Sequence, residues 1–171
     1  MMQYQVAPLK RRFAALMYES LLVASVAILA GLAAGALNTV ITHSLPALLA
    51  ITPFLTMLFL LFAWWLYFKL NWLREGQTLP MRVWHIGLHD KYSGSRPNLN
   101  RLRLRFAWSV VFLLFIPISV YACLRYGGIA AKPAIAMALF WWILPWGFAF
   151  FNPRRQFLYD FLAGTELIDL R

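Results

Sequence analysis

Residues 13–37 read FAALMYESLLVASVAILAGLAAGAL. Glu19 is the only charged residue among them. Roughly 20 apolar residues of helix cross a hydrocarbon core, so this run is long enough to span a membrane. Three more runs of comparable length follow, over residues 47–72, 106–124 and 131–151. The rest of the composition agrees. Of 171 residues, 62% are hydrophobic and 13% charged, with a mean hydropathy of +0.65. Soluble domains carry about 25% charged residues. With about half that charge, a soluble fold of this size could not cover its surface. A soluble enzyme, a disordered tail and a disulfide scaffold are therefore excluded. The expected fold is an all-α membrane protein, a single domain over residues 1–171 built as a four-transmembrane-helix bundle.

The first run follows Lys10, Arg11 and Arg12, and Ala34-Gly35-Ala36 resembles a cleavage site. It is longer than a signal-peptide core and carries Glu19, so it is read as a retained helix. Basic residues set the topology. Counting Lys69 near the end of the second run, fourteen of the sixteen lie before the first run, between the second and third, or after the fourth; only Arg125 and Lys132 lie on the other side. The positive-inside rule then predicts that both termini and the long middle loop face the cytoplasm. The net charge of +10 has the same cause and does not call for nucleic acid. The single cysteine, Cys123, is read as a packed small residue.

Ala27, Gly31 and Gly35 recur every fourth residue, a stripe that lets another helix approach, within the bundle or in a homo-oligomer. Pro53, Pro117 and Pro145 fall inside three runs and are expected to kink them. Trp64, Trp65, Tyr67, Trp72 and Trp108 read as an interfacial belt, and Trp141, Trp142 and Trp146 as packed residues. In the middle loop, residues 76–80 read as a turn. Trp84, Ile86 and Leu88 then alternate with His85, Gly87 and His89, which predicts a short strand. Residues 164–170 predict a second strand that pairs with it. His85 and His89 are four apart, but no third ligand is evident, so no metal is expected. Arg101, Arg103 and Arg105, just before the third run, are expected to meet lipid headgroups.

The candidate site is a charge cluster. Glu19 lies six residues into the first run, about 9 Å along a helix axis. Arg12, seven residues earlier, shares its face, and Asp160 follows the fourth run. Arg12, Glu19 and Asp160 form either a network pinning the C-terminal segment or an ion or proton site; a simple solvent-facing position for Glu19 is the third reading. No catalytic residues stand out, because Ser20, Ser25 and Ser119 lack an evident base. Arg12-Phe13-Ala14 and Arg105-Phe106-Ala107 each open a helix, which hints at a two-helix repeat.

Three blocks resemble the RDD family of small bacterial membrane proteins. These are residues 10–16 (KRRFAAL), 76–84 (GQTLPMRVW) and 154–165 (RRQFLYDFLAGT). Arg12 takes the family's arginine position and Asp160 its second aspartate, while Glu19 stands where the first aspartate is usual. Pro80 replaces a usual glycine, and Arg82 supplies the basic residue. The resemblance implies a multi-pass protein of the bacterial inner membrane. Some family members are proposed to exchange monovalent cations for protons; others are joined to further domains. Two functions follow as expectations, a monovalent cation/proton transporter and a non-transport scaffold that organises a partner complex. Neither needs a cofactor. The expected partners are the bilayer, a second copy or another membrane protein, and no nucleic acid.

Overall fold

The computed structural model describes residues 5–171 and falls into two compact units, residues 13–84 and residues up to 12 together with 85–171. Four helical stretches are long and apolar enough to cross a membrane: Leu9–Ser44, Thr52–Glu75, Leu99–Tyr126 and Ala131–Phe151. The four-span expectation therefore holds, but two boundaries move. The first helix begins at Leu9, so Lys10, Arg11 and Arg12 are helical rather than a preceding loop. The third begins at Leu99, which places Arg101, Arg103 and Arg105 on the helix.

The unit of residues 13–84 holds most of α1 (Leu9–Ser44), all of α2 (Thr52–Glu75) and the short α3 (Leu79–Val83). Helices α1 and α2 run antiparallel. The Trp64 Nε1 donates to the Val23 carbonyl at 3.1 Å, and Asn38 Nδ2 to Thr56 Oγ1 at 3.3 Å. Pro53 does not kink α2; it sits in the first turn, where a missing N–H costs nothing. Trp64 and Trp72 leave the expected belt: the first is bonded into the hairpin, and the second is buried and stacked on Phe68. Gly76 caps α2 in the left-handed region at φ 68°, which turns the chain into α3. On α1 the packed small residues are Ala15, Ala30 and Ala34. Within its unit, a Cβ at Gly31 or Gly35 would meet no atom within 4 Å, so α2 does not pack on these two glycines of the stripe.

Besides the start of α1, the other unit holds β1 (Ile86–Asp90) and the long helix made of α4 (Leu99–Val110), a π-helical stretch Val111–Phe115 and α5 (Ile116–Tyr126). A hairpin with α6 (Ala131–Phe140) and α7 (Ile143–Phe151) follows, then α8 (Leu158–Ala163) and β2 (Thr165–Asp169). Pro117 has no N–H for the Leu113 carbonyl four residues earlier, and the Trp142 Nε1 donates to that oxygen at 3.1 Å. The fourth span breaks at Trp141 and Trp142, the former four residues before Pro145, and the Leu144 N–H turns back to the Trp141 carbonyl at 3.0 Å. Cys123 is exposed rather than packed.

The predicted strands form and pair. β1 runs antiparallel to β2, with Leu88 opposite Leu167 at the centre of the register. Residues 5–7 add to the far edge of β2: Ala7 N–H donates to the Leu167 carbonyl at 3.1 Å, and Asp169 N–H to the Gln5 carbonyl at 2.8 Å. Ile86, Leu88 and Leu167 share one face of the pair and are buried, as are Leu102 and Phe157; Ile168, opposite Gly87, is buried on the other face. Gly87 faces away from Leu88 but is also covered, by the Leu170 side chain.

The element order repeats. Each half of the chain has two long helical spans, a short helix and a strand. From the second span onward the spacing is constant at 79 residues: Thr52 and Ala131 open spans, Leu79 and Leu158 open short helices, and Ile86 and Thr165 open strands. The unusual backbone positions obey the same spacing. Arg155 at φ 51° answers Gly76, and His85 at φ 54° answers Gly164 at φ 68°. The only non-glycine residues with positive φ among those described thus each match a glycine in the other half. Equivalent residues Leu88 and Leu167 face one another, so the strand pair has an approximate two-fold axis through them.

Candidate functional site

Glu19 lies ten residues into α1, about 15 Å from its start. Its carboxylate accepts hydrogen bonds from two hydroxyls of its own unit, Tyr67 Oη at 2.8 Å and Thr78 Oγ1. Thr78 is fully buried and reaches Glu19 because of the chain reversal at Gly76. It occupies the N-cap of α3 with extended backbone, yet its hydroxyl serves Glu19 instead of the cap. A hydroxyl both donates and accepts. These partners can therefore stay bonded to Glu19 ionised, as donors, or protonated, as acceptors.

Arg12 and Asp160 are 1% exposed and belong to the other unit. The Arg12 guanidinium donates to two carbonyls, Arg155 through Nη1 and Leu167 at 2.5 Å through Nη2. It ties the first turn of α1 to the chain on either side of α8. Asp160 and Glu166 lie close enough for their charge to act on it. The direct partner of Asp160 is Arg105, whose Nε donates to Oδ1 at 2.5 Å. Thr165 Oγ1 adds a contact to the same oxygen at 3.3 Å, while Oδ2 is buried with no hydrogen-bond partner among the described residues. Gln156 completes the corner, donating to the Thr165 carbonyl at 2.6 Å.

Arg105 corrects the headgroup reading. It is buried because α4 begins early, which puts it one turn after Leu102 on the inward face. Its guanidinium also lies 5.7 Å from the Tyr159 ring centroid. Arg101 is half-buried, bridges to Asp90 at 3.4 Å and donates to the Ala163 carbonyl at 3.3 Å. Arg103 is exposed. The signal for Arg105 was in the sequence: Arg105-Phe106-Ala107 repeats Arg12-Phe13-Ala14. The hydroxyl partners of Glu19 had no such signal.

The remaining carboxylates are also paired. Arg11 bridges Asp169, Arg82 bridges Glu75, and Arg154 bridges Glu166 at 2.9 Å. Five of the six acidic residues in the chain thus hold an arginine, and at the sixth, Glu19, two hydroxyls donate. Burial pushes the Asp90 carboxyl up, but the backbone N–H groups of Ser93 and Tyr92 and the charge of Arg101 outweigh it and hold it below the usual range. At Asp169 a small desolvation is likewise outweighed, by the Arg171 N–H and by Arg11. His85 lies just outside β1, and the His89 Nδ1 is 3.0 Å from the Gly94 carbonyl. Among the described residues no three His, Cys, Asp or Glu side chains converge as metal ligands would.

A family model described as the RDD family matches residues 6–164, nearly the whole chain. No curated protein and no solved structure matches it.

Proposed function

The chain belongs to the RDD family, and from that membership and the setting of Glu19 we propose that it exchanges a monovalent cation for a proton across the bacterial inner membrane. The observation that carries the reading is the pair of hydroxyls on a carboxylate inside a span. An intramembrane acid costs about 2.5–3.5 kcal/mol at mid-bilayer on insertion scales, so its presence asks for a function. Partners able to donate or accept let Glu19 take up and release a proton without leaving a buried group unsatisfied. A cation would compete with the proton for the same carboxylate. Asp160 and Arg12 have a different role: with Arg105 they pin α8 and β2. The reading involves no covalent chemistry. It puts both termini in the cytoplasm, on the weight of fourteen basic residues against two, and takes the working form as a homo-oligomer, since four spans are few for a transporter.

Flux into liposomes tests this. Purified protein is reconstituted with an internal pH dye, and Na⁺, K⁺ or Li⁺ is added outside. Wild type is expected to move protons in response to a cation, and Glu19→Gln of equal fold to lose that response. Loss of flux in a well-folded Glu19→Gln sample assigns the carboxylate to the path. Wild type no faster than empty liposomes would leave the scaffold reading, in which the arginine–carboxylate corner presents a rigid surface to a membrane partner.

A further inference from the structure

The hairpin of α5 and α6 carries a feature that the charge clusters do not use. An open groove of about 240 Å³ runs between the two helices, lined by Leu113, Pro117, Tyr121, Ile135, Ala138 and Trp142, among other apolar residues. Ala138 and Pro117 are buried and small in cross-section, which leaves the floor low. Trp142, bonded to the Leu113 carbonyl, closes the deep end. At the shallow end sits the turn between the helices. It holds Arg125 and Lys132, both exposed, which are the two basic residues left out of the main basic set. Arg125 Nη1 donates to the Ile129 carbonyl at 2.8 Å, which uses one of the five guanidinium N–H groups and holds the rest at the turn. Lys132 lies in the first turn of α6, and Ala130 at its N-cap has no side chain to satisfy the free N–H groups there. Cation, ammonium and uncapped helix end together favour an anion.

We propose that this hairpin binds one anionic phospholipid, with its phosphate at Arg125, Lys132 and the start of α6, and an acyl chain in the groove. The dimensions fit. Twelve residues separate Leu113 from Arg125, about 18 Å of helix. One leaflet of hydrocarbon is about 15 Å deep, half of a core of about 30 Å. A headgroup at the turn thus leaves its chain ending near Trp142. The equivalent turn between α1 and α2, over residues 45–51, has no Lys or Arg and serves as an internal contrast.

Native mass spectrometry of the full chain, with phosphatidylglycerol or phosphatidylcholine added, tests this. Wild type should retain a single phosphatidylglycerol with a preference of about tenfold or more over phosphatidylcholine, as two basic contacts near a surface imply. Arg125→Gln with Lys132→Gln should bring the two lipids level. Ala138→Phe, which fills the groove floor, should weaken retention of both. Should that variant fail to fold, Ile118→Trp on the exposed rim applies the same block without touching the packed face. An excess of glycerol 3-phosphate should not displace the lipid. Equal retention of both lipids by wild type, or retention untouched by a groove-filling variant of normal fold, overturns the proposal. Displacement by glycerol 3-phosphate overturns it too, because the site would then be one for a free phosphate.

Discussion

Asp160 is ion-paired with Arg105, and both are almost fully buried. Removing one partner of such a pair leaves an uncompensated ion, at about 3–5 kcal/mol. Asp160→Asn should lower stability by that order in denaturant titrations in detergent, whatever it does to transport. Arg155 gives a prediction of opposite sign. It sits at φ 51°, where a side chain is strained, and it serves Arg12 only through its carbonyl. Its counterpart in the other half is Gly76. Arg155→Gly keeps the carbonyl and removes about 1–2 kcal/mol of strain, of which glycine's freer unfolded chain takes back about 0.4–1, so the protein should gain roughly 0.5–1 kcal/mol. A drop in melting temperature for this variant would contradict the repeat as the explanation of that backbone.

At the scale of elements, the third span joins α4 to α5 through a π-helical stretch followed by Pro117, and Trp142 of the neighbouring helix supplies a donor to Leu113 there. Trp142→Phe keeps most of the ring but removes that donor. It should cost about 1–3 kcal/mol if the carbonyl is left unsatisfied. Pro117→Ala restores a backbone N–H. The double variant should therefore lose less than the sum of the two single ones, and an additive result in a thermal-unfolding cycle would sink the link. How far ahead the sequence showed such elements varied. Period-two alternation announced β1, and the pairing with β2 followed from it. The helix boundaries were hidden because basic residues at a span's end read as loop, whereas Arg12 and Arg105 are helical and buried. Arginine takes either setting, and only its neighbours decide between water and an ion pair.

For the whole molecule, pH separates the part outside the membrane from the spans. Asp90 and Asp169 sit at opposite ends of the two-stranded sheet, and both are held below the usual carboxylate range. A carboxylate with a depressed folded pKa contributes stability above its unfolded value near 3.9, and loses it as pH falls through the folded value. The β1–β2 unit should therefore loosen in acid below about pH 4. Amide exchange should show the strand N–H groups protected at neutral pH and released on that descent, before the helices open. Protection that stays level through pH 3 would mean the two carboxylates do not hold the sheet.

Four spans, their order and the bias of charge were determined by the sequence alone. An apolar helix in lipid satisfies its own backbone, so length and hydropathy suffice to predict it. The three residues Arg12, Glu19 and Asp160 were also visible, as charges where charge is costly. The repeat of Arg12-Phe13-Ala14 at Arg105-Phe106-Ala107 marked Arg105, but which groups meet was not visible. Asp160 meets Arg105 across 55 residues of chain, and Glu19 meets Thr78 across 59. Such pairs depend on which faces of separate helices turn toward one another and on where a turn such as Gly76 aims the chain. Those are properties of packing, and no local pattern of residues carries them.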